Sequence, residues 1–175
     1  RDPLTGLWNR RGIESVISGE LARARRSGSR MAAVLIDLDD FKEVNDSMGH
    51  ATGDVVLQDV ARRMTSSLRP NDSLARVGGD EFLAILPELR LAEAETVAER
   101  VRLAITDSPM TLSGKRVTVT ASLGLDLVSP DAVSVEQLLE HLRHALASGK
   151  RAGKNRVIVG SQGSLRGVTV DEAEA

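Results

Sequence analysis

Cysteine is missing altogether from this chain, which excludes disulfides, thiolate metal sites and cysteine nucleophiles and fits a reducing, cytoplasmic setting. Aromatic residues are nearly as scarce. Trp8, Phe41 and Phe82 are the only three, and packing is the expected use of Trp8 and Phe41. Neither sign of charge dominates: a formal net charge of −2 leaves no basic excess, so no nucleic-acid partner is expected. Long apolar runs are lacking too. The longest, Met31 to Ile36, falls far short of a membrane span, and no signal-peptide pattern opens the chain, so this segment is expected to make no membrane contact. What is present is 175 residues, 41% of them hydrophobic, enough for one compact domain with a real core. The abrupt opening Arg1-Asp2-Pro3 reads as a piece of a longer protein, one whose full length leaves room for a membrane anchor. Residues 1–160 are read as the domain, and the Gly- and Ser-containing, acidic 161–175 as a tail or linker.

Hydrophobic periodicity supplies the elements. Leu4 to Asn9 reads as a loop, and Ile13, Val16, Ile17, Leu21 and Ala24 recur at helical spacing until Gly28. Met31 to Asp37 is a buried strand. Phe41 to Thr52 is polar, irregular or briefly helical, and Gly53 to Leu68 is a helix with Val56, Leu57, Val60, Ala61, Met64 and Leu68 on one face. Arg69-Pro70-Asn71-Asp72 breaks it, and Ser73 to Val77 with Glu81 to Leu86 form a hairpin. A helix over Leu91 to Ile105 follows, then one long alternating strand over Arg116 to Val128, a helix marked by Val135 to Leu146, and a short strand Arg156 to Val159. Strand, helix, strand, strand, helix, strand is the order of ferredoxin-like βαββαβ folds, so the expected class is α+β: an α/β sandwich whose mostly antiparallel sheet is flanked by helices. A right-handed crossover leaves a gap beside the first strand for the second strand of the hairpin, which makes Asp37 and Asp80 neighbours.

The chemistry sits at those strand ends. Gly78-Gly79 is expected to form the primed, positive-φ hairpin turn that glycine favours and to leave the backbone open to an anionic ligand, with Asp80 and Glu81 directly after it. An acidic turn alone is often a solvated turn. Here a second carboxylate cluster, Asp37-Leu38-Asp39-Asp40, ends another strand, and two such clusters point to a divalent cation. Magnesium, usually held by one or two carboxylates together with substrate phosphates, suits Asp37, Asp80 and the Leu38 carbonyl. Calcium suits them less, because Phe41 and Lys42 stand where an EF-hand loop needs an oxygen ligand and a glycine. Ser113 to Arg116 is no Walker loop, so phosphate must be gripped by other cations: Lys42 after the first strand end, and Lys150, Arg151 and Lys154 after the last helix. The three histidines receive no role.

Asp2 to Arg11, the acidic strand end with Phe41-Lys42 and Asn45-Asp46, Gly49-His50, Gly53-Asp54, Gly78 to Phe82 and Lys150 to Asn155 together resemble the GGDEF diguanylate cyclases. The likeness covers nearly the whole domain. It implies an enzyme that condenses two GTP into cyclic di-GMP with release of pyrophosphate, two such chains facing each other as a homodimer with two Mg2+ (or Mn2+) in each half-site. Asp37, the Leu38 carbonyl, Asp80 and Glu81 are then metal ligands. Asp80, Glu81 and Lys42 carry the catalysis, with Asp80 or Glu81 as proton acceptor. Asn45 and Asp54 read guanine, while Phe41, Gly78 and Gly79 line the substrate site. Lys42, Lys150 and Lys154 hold the phosphates. Position 154 is often arginine in the family and Val77 often aromatic, but no catalytic carboxylate is missing. Arg69 and Asp72 match the family's RxxD inhibitory product site, with Arg100 as a further contact to the feedback ligand. The alternatives are a silent module that binds GTP or cyclic di-GMP to regulate an attached domain, and a polymerase-like palm acting on another substrate. The second leaves Asn45 and Asp54 unexplained.

Overall fold

The computed structural model describes residues 1–129 and 134–160. The proposed tail at 161–175 lies outside the described residues. In chain order the elements are β1 (Trp8–Asn9), α1 (Arg10–Ser27), β2 (Met31–Leu38), α2 (Phe41–Met48), α3 (His50–Ser67), β3 (Ser73–Arg76), β4 (Glu81–Pro87), α4 (Leu91–Thr106), β5 (Met110–Leu112), β6 (Lys115–Val117), β7 (Ala121–Val128), α5 (Val135–Arg151) and β8 (Val157–Val159).

Local chemistry sets several of these bounds. The Asn9 side chain accepts from Gly12 N at 2.8 Å to start α1, and Gly28 ends the helix in the left-handed region at φ 66°. Ser134 caps α5 in the same way, accepting from Gln137 N at 3.2 Å. The run Met31 to Ile36 is apolar without alternation because β2 is central, antiparallel to β4 on one side and to β7 on the other, with helices on both faces.

The main sheet runs β1-β3-β4-β2-β7-β8, so its middle four strands have the ferredoxin-like order, with β4 inserted beside β2 as the crossover rule requires. Only the flanking pairs β1–β3 and β7–β8 are parallel. One face packs Val34, Ile36, Phe82 and Leu123 against α3 and α4; the other packs Met31, Leu35, Leu83 and Ile85 against α1 and α5. Fully buried side chains of this size each contribute about 1.5–3 kcal/mol through burial, and they hold the ends of β2 and β4 in fixed register.

Three expectations need correction. The loop Leu4 to Asn9 contains β1, whose two residues pair with Ala75 and Arg76, a strand too short to carry any period. The polar stretch after Phe41 is two helices broken at Gly49, so α3 starts at His50 rather than Gly53. The long strand over Arg116 to Val128 is two strands: β6 pairs only with β5, and residues 118–120 belong to neither β6 nor β7. Alternation survives the break, since Val119, Ala121, Leu123 and Leu125 share one core face, and Thr120 O still accepts from Asp39 N at 2.8 Å, one residue beyond the paired strands.

Candidate active site

Register brings the two acidic strand ends together. Asp37 stands opposite Glu81 across β2 and β4, and Leu38 N donates to the Asp80 carbonyl at 3.2 Å. The bend joining β3 to β4 spans Val77 to Asp80, closed by Val77 N and Gly78 N donating to the Glu81 carbonyl at 2.9 and 3.2 Å. Neither Gly78 nor Gly79 has a positive φ, so the expected primed two-residue turn is not what the chain forms. A side chain at 78 would instead crowd Glu81: a Cβ there would lie 2.9 Å from Glu81 Oε2 and 3.1 Å from Glu81 Cβ. At Gly79 a Cβ would meet nothing within 4 Å, which leaves that backbone open to a ligand.

Helix α5 supplies cations to this carboxylate pair. Lys150 Nζ pairs with Asp37, and Arg143 Nε and Nη2 donate to the two oxygens of Glu81 at 3.1 and 2.9 Å. Lys154 Nζ pairs with Asp40 at 2.5 Å, which raises the lysine's pKa, and both residues hold left-handed backbone, φ 60° and 55°. In this structure Lys150 and Lys154 are thus committed to carboxylates at the end of β2, next to the place where phosphates are expected. Lys42 is exposed on α2.

On the other side of the bend lies a cavity of about 390 Å³ lined by Phe41, Lys42, Asn45, Asp54, Gly79 and Asp80, with Arg76 and His50 at its wall. Phe41 is both core and wall, 7% exposed. Asn45 Oδ1 lies against Gly53, where a Cβ would collide with it, so a bare backbone on α3 is what seats the Asn45 amide beside Asp54. Asp37, Leu38, Glu81, Gly78, Lys150 and Lys154 do not line this cavity. They form the adjoining carboxylate–cation cluster, while Asp80 lines the cavity and its charge also bears on Asp37.

The donor set fits a magnesium-like ion. It offers Asp37, Asp80, Glu81 and the strand-end carbonyl of Leu38, all oxygen. Among the described residues no group of three His, Cys, Asp or Glu side chains is arranged to hold a metal ion, and Asp37, Asp80 and Glu81 are no exception. Asp37 is also disfavoured in its charged form. Asp37 is held above the ordinary carboxylate range chiefly by burial, with repulsion from Asp80 and Glu81 that the hydrogen bond and charge of Lys150 offset only in part. A carboxyl raised in the folded state lends its full share to stability below its unfolded value and loses it as pH rises through the folded value. At pH 7 in chelator, Asp37→Asn should therefore melt at a higher temperature than wild type. The gap should close as pH falls toward the unperturbed 3.8; a variant that melts lower at pH 7 contradicts this account of the site.

Several residues here have roles that no motif in the sequence assigns to them. Asp39, 7% exposed, is turned inward and accepts from Thr120 Oγ1 and Ser122 Oγ, both at 2.7 Å, and from Asn155 N at 3.0 Å, so it fastens the Lys154-Asn155 turn to the end of β2. Arg76 donates to the Gly79 carbonyl through Nε and Nη2 at 3.1 and 2.7 Å and reaches Asp2 Oδ1 at 3.5 Å. His141, given no role above, bonds the buried Asp126 at 2.6 Å and ties α5 to β7. Asp39 is visible in the sequence only as a member of the acidic cluster, and Arg76 only by its place two residues before the Gly-Gly pair.

The Arg69-Pro70-Asn71-Asp72 segment lies apart from this site. The Asp72 carboxylate has no exposed surface and accepts from Arg69 N at 2.8 Å and Arg69 Nη2 at 2.7 Å, an Asx-type turn closed by its own ion pair. The expected guanine acceptor is therefore already occupied. Arg69 also donates to the Pro87 carbonyl at 3.1 Å, and Arg100 Nε bonds the Ser67 carbonyl at 2.8 Å, which places Arg100 beside the same turn. A cavity of about 500 Å³ opens there between Trp8, Leu68, Arg69 and Asp72.

Comparison with known proteins identifies relatives of this fold. The family described as "Diguanylate cyclase, GGDEF domain" matches residues 1–156. Response regulator PleD of Caulobacter vibrioides is 38% identical over 159 residues, 90% of this chain and 35% of PleD. The chain thus spans about a third of that relative's length. Diguanylate cyclase SiaD of Pseudomonas aeruginosa, solved in complex with its activator SiaC, superposes with a TM-score of 0.87 at 38% identity, covering 91% of this chain and 61% of SiaD. The GGDEF domain of DgcB from Caulobacter crescentus, solved with c-di-GMP, superposes at 0.84 with 30% identity, covering 90% and 91%.

Proposed function

The chain belongs to the GGDEF family of diguanylate cyclase domains, and from that premise we propose that it condenses two GTP into cyclic di-GMP, each of two facing chains supplying half of the reaction. The observation that carries this reading is the cavity that sets Asn45 and Asp54 across from Gly79 and Asp80, with Asp37 and Glu81 just beyond.

Asp54 accepts from guanine N1–H and N2–H₂, a donor pair that adenine lacks, and the Asn45 amide seated on Gly53 completes the base edge. Lys42, Lys150 and Lys154 take the β- and γ-phosphates, the last two leaving Asp37 and Asp40 to do so. Asp37, Asp80, Glu81 and the Leu38 carbonyl would hold two Mg2+ or Mn2+. Such ions supply charge stabilisation at the α-phosphate and lower the pKa of the ribose 3′-hydroxyl. The 3′-oxygen of one guanylate forms a bond to the α-phosphorus of the other while pyrophosphate leaves, and Asp80 or Glu81 receives the hydroxyl proton. Repeating the step at the symmetric half-site closes the ring.

Because neither half-site completes the reaction alone, specific activity should climb with protein concentration across a dilution series monitored by sedimentation. Constant specific activity in a sample that stays monomeric contradicts the facing pair. A silent module that only binds GTP or cyclic di-GMP would use the same base pocket and show no turnover at any concentration.

Arg69, Asp72 and Arg100 are proposed as a separate site for the product. Since Asp72 is closed onto Arg69, binding must exchange that pair for contacts to guanine and phosphate, and inhibition follows from tighter binding to an unproductive arrangement. Arg69→Ala should keep its turnover and lose most of its inhibition by added cyclic di-GMP. Inhibition equal to wild type, or overcome by excess GTP, would leave the segment as a turn.

A further inference from the structure

Two cations of α5, Arg143 and Lys150, stand seven residues apart and so share one face of the helix. They meet the two carboxylates that oppose each other across β2 and β4: Lys150 takes Asp37, and Arg143 takes both oxygens of Glu81. The Glu81 side chain accommodates this by lying back over Gly78, close enough that a Cβ at 78 would be 2.9 Å from Oε2. Nothing in the sequence singles out Arg143, which is 62 positions from its partner. A lysine reaching a carboxylate can swing away as a point charge. A guanidinium paired in fork geometry occupies both oxygens and fixes the plane of the carboxylate.

We propose that Arg143 is a positioning residue that serves as the resident counter-cation of Glu81 and thereby sets the affinity of the site for divalent cations. The inference rests on the reading of Glu81 as a metal ligand. With both oxygens held by Arg143, Glu81 cannot turn to an incoming ion until the pair opens, so the free energy of the pair is subtracted from that of ion uptake. The Arg143 side chain is 43% exposed and that of Glu81 19%, so the pair is screened and its contribution modest. It is the bidentate geometry that keeps the contribution measurable.

The test is Mn2+ titrated into the nucleotide-free full chain, with free Mn2+ read by electron paramagnetic resonance, for wild type, Arg143→Gln, Arg143→Lys, Glu81→Gln and the Arg143→Gln/Glu81→Gln double variant. Arg143→Gln should bind Mn2+ about two- to five-fold more tightly, the range an exposed pair supports. Arg143→Lys should fall between it and wild type. Glu81→Gln should bind more weakly, and in its background Arg143→Gln should add nothing. A natively folded Arg143→Gln with unchanged or weaker affinity overturns the counter-cation role, as does equal tightening in the Glu81→Gln background, which would make it a general charge effect. Unchanged affinity in Glu81→Gln is a distinct result: it removes Glu81 as a ligand and the inference with it.

Discussion

Asp80→Ala should lower the rate of cyclic di-GMP formation by about 10²–10³, the usual cost of deleting one group aimed at charge that develops in the transition state. Asp80 lines the base cavity, and its charge also acts on Asp37 in the carboxylate–cation cluster. The loss should appear in kcat as well as in kcat/KM, because the carboxylate is assigned to the reacting atoms rather than to nucleotide binding alone. Folding should be nearly untouched. Asp80 is a half-buried turn residue whose side chain joins neither core cluster, and replacements at such positions usually stay within about 0.5 kcal/mol. A folded Asp80→Ala that keeps wild-type turnover would move the chemistry elsewhere.

The second large effect is on base selection. Asp54 is exposed on α3 toward the cavity, and Asn45 reaches the same space from α2 across Gly53. Deleting the acceptor for guanine N1–H and N2–H₂ should cut the ratio of specificity constants for GTP over ATP by about ten- to a hundred-fold, the discrimination carried by one good bidentate base contact. The drop should come from poorer use of GTP, not better use of ATP, since alanine offers adenine nothing new. If the ratio does not move, Asp54 reads something other than the base.

Much of this arrangement is legible in the sequence, because the elements that build it are long and periodic. β2 appears as an apolar run, α3 and α4 appear as stripes, and the βαββαβ order is enough to place Asp37 beside the bend after β3. The features that escape share one cause: they depend on contacts that no local window contains. Arg143 reaches Glu81 from a helix far along the chain, and Asp39 looks like a third open carboxylate until Thr120, Ser122 and Asn155 are seen to consume it. A Gly-Gly pair in a hairpin predicts positive φ, whereas this bend is closed by backbone bonds to the Glu81 carbonyl and the missing Cβ at Gly78 leaves space for the Glu81 side chain. The break before β7 is hidden because side-chain alternation continues across residues 118–120 while β6 pairs with β5 outside the main sheet.

The measurement that bears most directly on the proposed function is chromatographic identification of the product when concentrated protein is incubated with GTP and Mg2+. The account predicts cyclic di-GMP with two pyrophosphates released for each product molecule, abolished by chelator. Tight GTP binding by the folded chain with no pyrophosphate released at any protein concentration would contradict it, and would make the site a nucleotide-binding module without turnover.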